Sequence, residues 1–173
     1  GDGMIITPHL DTSITSWAST EWLTNKELEF ECRIETGSAA QIGNCIIWAG
    51  LKLTNTDVIA TDNDQAFFRY ENGVNSGKFQ CVASATGTDD TNDSGVTVAA
   101  STGYRLRISV GSDLVPKFYI NDVLVSTNDA LTTAVALIPY IAVEADGAAV
   151  TILRLPSRTT SPGVSPPTTR RSS

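Results

Sequence analysis

A chain of 173 residues is long enough for one domain with a sizeable core and short for two. Its formal net charge is -7, and residues 156–173 hold Arg158, Arg170 and Arg171 with no acid, so the rest of the chain stands at about -10. An acidic body argues against nucleic acid as a partner, and no run of residues approaches membrane-spanning length.

Residues 1–19 read as an N-terminal arm or edge strand and contain His9, the only histidine. A nucleophilic triad built on histidine would have to use this one position, and none is expected. Trp17 and Trp22, in SWASTEWLTNK, flank the entry to a domain over residues 20–155, where they seal its edge or contact a glycan or a neighbouring chain. In KELEFECRIE, Leu28, Phe30, Cys32 and Ile34 fall on one face of a strand, and Glu27, Glu29, Glu31 and Arg33 fall on the other. Retaining glycosidases hold two carboxyl groups about 5–5.5 Å apart. Residues i and i+4 of an ideal strand stand farther apart, so a solvated charged face is expected and no catalytic residue is assigned.

NCIIWAGLKL is apolar on both faces, as a central strand between layers should be, and Trp48 inside it is expected in the core. Two acidic segments read as loops: TDVIATDND with Asp57, Asp62 and Asp64, and GTDDTNDSG with Asp89, Asp90, Asn92 and Asp93. Calcium takes six to eight oxygen ligands, and Asp89, Asp90 and Asp93 are the best candidates to supply them. Neither loop has EF-hand spacing, so ordinary turns are expected and no metal is assigned.

QAFFRYE, GKFQCVASA and GVTVAA read as further strands. Cys32, Cys45 and Cys81 each lie in an apolar run and are expected as small buried hydrophobes. An odd number of thiols, and no stretch with the pattern of a secretion signal, fit synthesis in a reducing cytoplasm. Tyr104, Leu106, Ile108 and Val110 alternate with Arg105, Arg107 and Ser109, giving one buried and one wet face. Phe118 and Ile120 repeat the pattern, Asn121-Asp122 supplies a tight turn, and Val123, Leu124 and Val125 begin the return strand. LIPYIAVEA and AVTILRL close the series.

Roughly ten short strands without helices between them predict an all-β antiparallel sandwich or jelly roll with extended arms at both ends. After Leu155 the composition turns to Pro, Ser and Thr, which cannot build a core, so residues 156–173 are expected to form an arm that lies on a neighbour through Arg158, Arg170 and Arg171. No phosphate loop, dinucleotide fingerprint or zinc spacing occurs, and no cofactor is expected.

The order LEFECRIE, IIWAGLKL, YRLRISV, KFYINDVLVST and IPYIAVEA resembles the concanavalin A-like, laminin G-like jelly roll, in the version found in virion proteins of tailed bacteriophages. The resemblance covers roughly residues 20–155. It implies a non-enzymatic structural protein of the virion, assembled in the host cytoplasm, that decorates a capsid or forms part of a spike or fibre. Its partners would be the major capsid protein and further copies of itself. Because lectins and glucanases share the fold, a glycan-binding module contacting a host-surface sugar is the alternative, and a β-glucan hydrolase using Glu27 and Glu31 is a third.

Overall fold

The computed structural model describes residues 3–7, 22–54 and 62–145. In chain order the strands are β1 (Gly3–Ile6), β2 (Trp22–Leu23), β3 (Leu28–Glu35), β4 (Cys45–Lys52), β5 (Gln65–Glu71), β6 (Lys78–Ala85), β7 (Thr88–Thr97), β8 (Gly103–Val110), β9 (Pro116–Ile120), β10 (Val123–Thr127) and β11 (Ala136–Ala145). The larger sheet runs β1-β11-β4-β5-β6-β7, with β2 paired to the start of β11, and the smaller runs β10-β9-β8-β3. Every neighbouring strand pair among the described residues is antiparallel. The one α-helical turn among the described residues is α1, Ala39–Ile42. This is an antiparallel β-sandwich of the jelly-roll type.

Alternation decides which side chains meet between the sheets. Leu28, Phe30 and Ile34 of β3 and Tyr104, Leu106, Ile108 and Val110 of β8 face inward, as their period of two requires. Opposite them stand Cys45, Ile47, Ala49 and Leu51 of β4, Ala66, Phe68 and Tyr70 of β5, and Phe79, Cys81 and Ala83 of β6. Aromatic edges cross the gap: Phe68 meets Phe118 at 5.2 Å and Phe79 meets Tyr104 at 5.2 Å, both edge to face. The β9–β10 corner is a tight turn in which Asn121 and Asp122 have φ of 50° and 69°.

Two expectations are corrected. GTDDTNDSG is strand, not loop: β7 pairs with β6 from Thr88 to Thr97 around a register shift. An edge strand needs ladder bonds on one side only, so a run of Asp, Asn and Thr can fill it, and that polarity also discourages further pairing. Glu27 is not on the charged face of β3; it precedes the strand at φ 52°. Trp48 is buried as expected, in a second apolar cluster on the larger sheet's outer side. The AVTILRL strand, His9, Trp17, Asp57 and both arms beyond β1 lie outside the described residues.

Candidate functional site

The outward positions of the larger sheet form three cross-strand rows. The register places Ile138, Lys52, Gln65, Ser84 and Asp89 in the first, then Tyr140, Gly50, Phe67, Val82 and Thr91, then Ala142, Trp48, Arg69, Gln80 and Asp93. Rows two residues apart along a strand lie about 7 Å apart. The middle row is an apolar strip between two rows that carry polar groups. Phe67 and Trp48 stack obliquely at 4.6 Å and join Val82, Tyr140 and Ala142 in a cluster separate from the main core.

Among the described residues, five buried side-chain polar atoms lack a hydrogen-bond partner: Trp48 Nε1, Lys52 Nζ, Gln65 Oε1, Arg69 Nε and Gln80 Oε1. All five belong to the two flanking rows. Native proteins rarely leave such groups unpaired, since each costs about 1–3 kcal/mol. The first row is wired: Gln65 Nε2 donates to Ser84 Oγ at 3.0 Å, and Ser84 donates to the Asp89 carboxylate. That wiring fixes the Gln65 amide and leaves its carbonyl oxygen free.

Lys52 is only 1% exposed. Its ammonium lies 3.8 Å from Asp62 Oδ2, an ion pair beyond hydrogen-bond reach, and 4.8 Å and 5.8 Å from the ring centroids of Tyr140 and Trp48. Burial pulls its pKa below the usual lysine value, against the opposing pull of Asp62. Asp62 is itself held by the Thr54 backbone N–H and hydroxyl. Arg69 lies 5.4 Å from the Trp48 ring and uses one terminal nitrogen on Glu71.

The residues singled out in the sequence are dispersed. Glu29 and Glu31 stand exposed on the outside of the smaller sheet, with Glu29 3.7 Å from Arg107, on the opposite side of the sandwich from the three rows. Asp89 and Asp90 are strand neighbours and point to opposite faces, so Asp89, Asp90 and Asp93 do not converge as a loop would make them. Asp90 Oδ2 accepts from the Asp129 N–H, and Asp93 pairs with Lys78, whose ammonium leads the causes that lower its pKa. Among the described residues no three His, Cys, Asp or Glu side chains gather as a metal cluster. Trp22 is half-buried and packs against the main core from the β2 edge. Arg158, Arg170 and Arg171 lie outside the described residues. Sequence reading missed Lys52, Gln65, Arg69 and Gln80; the signal was an isolated polar residue at an outward position of otherwise apolar central strands.

No protein-family model and no curated protein matches the chain. Among solved structures it is similar to CG-16, a homodimeric agglutinin from chicken liver, with 12% identity over 88% of this chain and 100% of that one and a TM-score of 0.46. Galectin-Ib of Xenopus laevis gives 11% identity, 88% and 100% coverage and a TM-score of 0.48. The β-glucanase of Bacillus licheniformis gives 14%, covering 74% of this chain and 56% of that one, with a TM-score of 0.48. At these identities the likeness is one of fold.

Proposed function

We propose that the chain is a glycan-binding module that holds a sugar on the outer face of the larger sheet. The observation that carries this reading is the apolar Tyr140-Phe67-Val82 strip bordered on both sides by buried polar atoms without partners. A pyranose presents a C–H face and a rim of hydroxyls that both donate and accept, which complements a strip of rings between rows of donors and acceptors. The reading is one of binding without turnover, and three carboxylates of the face are engaged: Asp89 with Ser84, Glu71 with Arg69 and Asp93 with Lys78. A role in a virion rests on the sequence resemblance alone, and no contact among the described residues favours it.

A glycan array, followed by calorimetry on any hit, tests the reading. Gln65→Leu and Gln80→Leu should each weaken a hit tenfold or more while the circular dichroism and melting curve stay native. Trp48→Phe, which keeps a ring and removes the indole N–H, should also weaken it. The reading fails if the array is blank, or if all three variants bind as the parent does.

A further inference from the structure

We infer that Asn72 is a site of spontaneous modification, at which the Gly73 backbone nitrogen attacks the side-chain amide, expels ammonia and leaves aspartate or isoaspartate in the turn that follows β5. The inference is independent of the glycan reading and uses no atom of the three rows. Ring closure requires a following residue with no Cβ to crowd it, a backbone N–H not already spent on a hydrogen bond, and an amide open to water. Asn72-Gly73 is the one Asn-Gly step in the chain. The Val74 N–H donates to the Glu71 carbonyl at 3.2 Å, which makes residues 71–74 a β-turn with Asn72 and Gly73 as its central pair. Both are exposed, Gly73 has φ 79°, and a Cβ placed on it would meet nothing within 4 Å. Among the described residues no acceptor takes the Gly73 N–H.

Each of the other described asparagines is followed by a residue with a side chain, and several are held besides. Asn128 is buried and spends its amide on two backbone carbonyls. Asn121 accepts the Arg105 N–H, and Asn75 donates to the Phe79 carbonyl and to Asp93. At Asn72 the step balances. Gly73 N bonds to Asn72 Cγ, the Cγ–Nδ2 bond breaks, and Nδ2 leaves as ammonia with the proton that Gly73 N carried. Water then opens the cyclic imide, at Cγ to give aspartate or at the backbone carbonyl to give isoaspartate, in which the chain runs through Cγ. One water is consumed, one ammonia is released, and nothing is oxidised or reduced.

The amide that is lost has a structural task. Asn72 Nδ2 donates to the Gly43 carbonyl at 2.8 Å, beside the Tyr70 hydroxyl, which donates to the Ile42 carbonyl at 2.9 Å. Together they fasten the end of β5 to the corner where α1 passes into β4. The Asn72 bond lies on the surface, where local opening costs little and frees the amide for attack. Either product puts a carboxylate where the amide donor stood, and a carboxylate has no proton to give the Gly43 carbonyl. Isoaspartate also lengthens the backbone of the turn by one atom, so the Val74–Glu71 bond cannot keep its geometry. Modification therefore loosens the α1 corner and adds one negative charge to a chain already at -7.

The test incubates the full folded chain in mildly alkaline buffer and follows it by peptide mapping. The peptide that holds residues 70–78 should gain the mass of an amide-to-acid exchange before any other asparagine peptide does, and more slowly in mildly acidic buffer. Electron-transfer fragmentation should place the change at Asn72, not Asn75, and separate aspartate from isoaspartate. Asn72→Gln, which keeps a donor but must close a larger ring, should abolish the conversion. Asn72→Asp, which stands in for one product, should speed hydrogen exchange at the Ile42, Gly43 and Asn44 amides, all bonded within the α1 corner, and leave β8 and β9 unchanged. Conversion at Asn75 instead, or an Asn72 that stays intact in the folded chain while converting in urea, overturns the inference. Unchanged exchange at the α1 corner in Asn72→Asp overturns the structural task assigned to the amide. None of these readings involves a sugar, so the glycan array is decided separately.

Discussion

Gly50 shows how closely the candidate face is built. It pairs directly with Phe67, and a Cβ placed on it would come within 2.5 Å of Phe67 Cα and closer still to the Ala66 carbonyl oxygen. Both are backbone atoms, so no rotamer change relieves the clash. Gly50→Ala should therefore cost about 2–4 kcal/mol, through forced separation of β4 from β5, and a urea melt measures it. An unchanged midpoint would mean that the two strands part easily. Trp48 illustrates the limit of reading single residues from sequence. A strand apolar on both faces announces a central position but leaves unspecified which face meets the other sheet. Only the partners settle it: Ile47 and Ala49 join the main core while Trp48 joins Phe67 outside it.

Among the elements, β7 and the segment after β10 depend on one buried side chain. Asn128 Nδ2 donates to the carbonyls of Cys81 at 3.0 Å and Asp90 at 2.9 Å, and its Oδ1 accepts from the Ser126 hydroxyl. It thereby ties the end of the smaller sheet to the edge of the larger one. Asn128→Ala leaves those carbonyls without this donor in a buried place and should cost about 2–3 kcal/mol. Hydrogen exchange should locate the loss, with β7 amides exchanging faster before those of β4 and β5 do; uniform acceleration across the sheet would contradict a local tie. The strands with alternating apolar residues, β3, β8, β9 and the Asn121-Asp122 hairpin, were legible because burial of one face writes the period of two into the sequence. β7 was not, because an edge strand with most of its side chains wet carries turn-like composition and takes its conformation from the β6 ladder. The polar rows of the candidate face were hidden for a related reason: register, which brings Lys52 opposite Gln65 and Trp48 opposite Arg69, is a property of strand pairs.

At the scale of the whole molecule, burial couples global stability to alkaline pH. Burial, reinforced by the nearby Asp93 carboxylate, pushes the Cys81 thiol from 9.0 up to about 12, and burial with Glu31 does the same to Cys32. A thiol whose folded pKa lies above its unfolded one contributes stability that is whole below pH 9. That contribution is lost as pH rises toward 12, because the unfolded chain gives up the proton first. Each such thiol tilts stability downward by as much as about 1.4 kcal/mol per pH unit within that window. Lys52 acts in the opposite sense: its folded pKa lies below 10.5, so the unfolded chain holds more protons just under that pH and stability gains as pH rises through the interval. Two thiols outweigh one lysine, and above 10.5 the lysine no longer compensates. The urea midpoint of the parent should therefore hold steady to about pH 9 and fall steeply above 10.5. Cys32→Ala/Cys81→Ala, although less stable at pH 8 for lost packing, should show a visibly shallower decline. Parallel curves for parent and variant from pH 8 to 11 would mean that the two thiols titrate alike in the folded and unfolded chain, and that the inward faces of β3 and β6 are wetter than their packing requires.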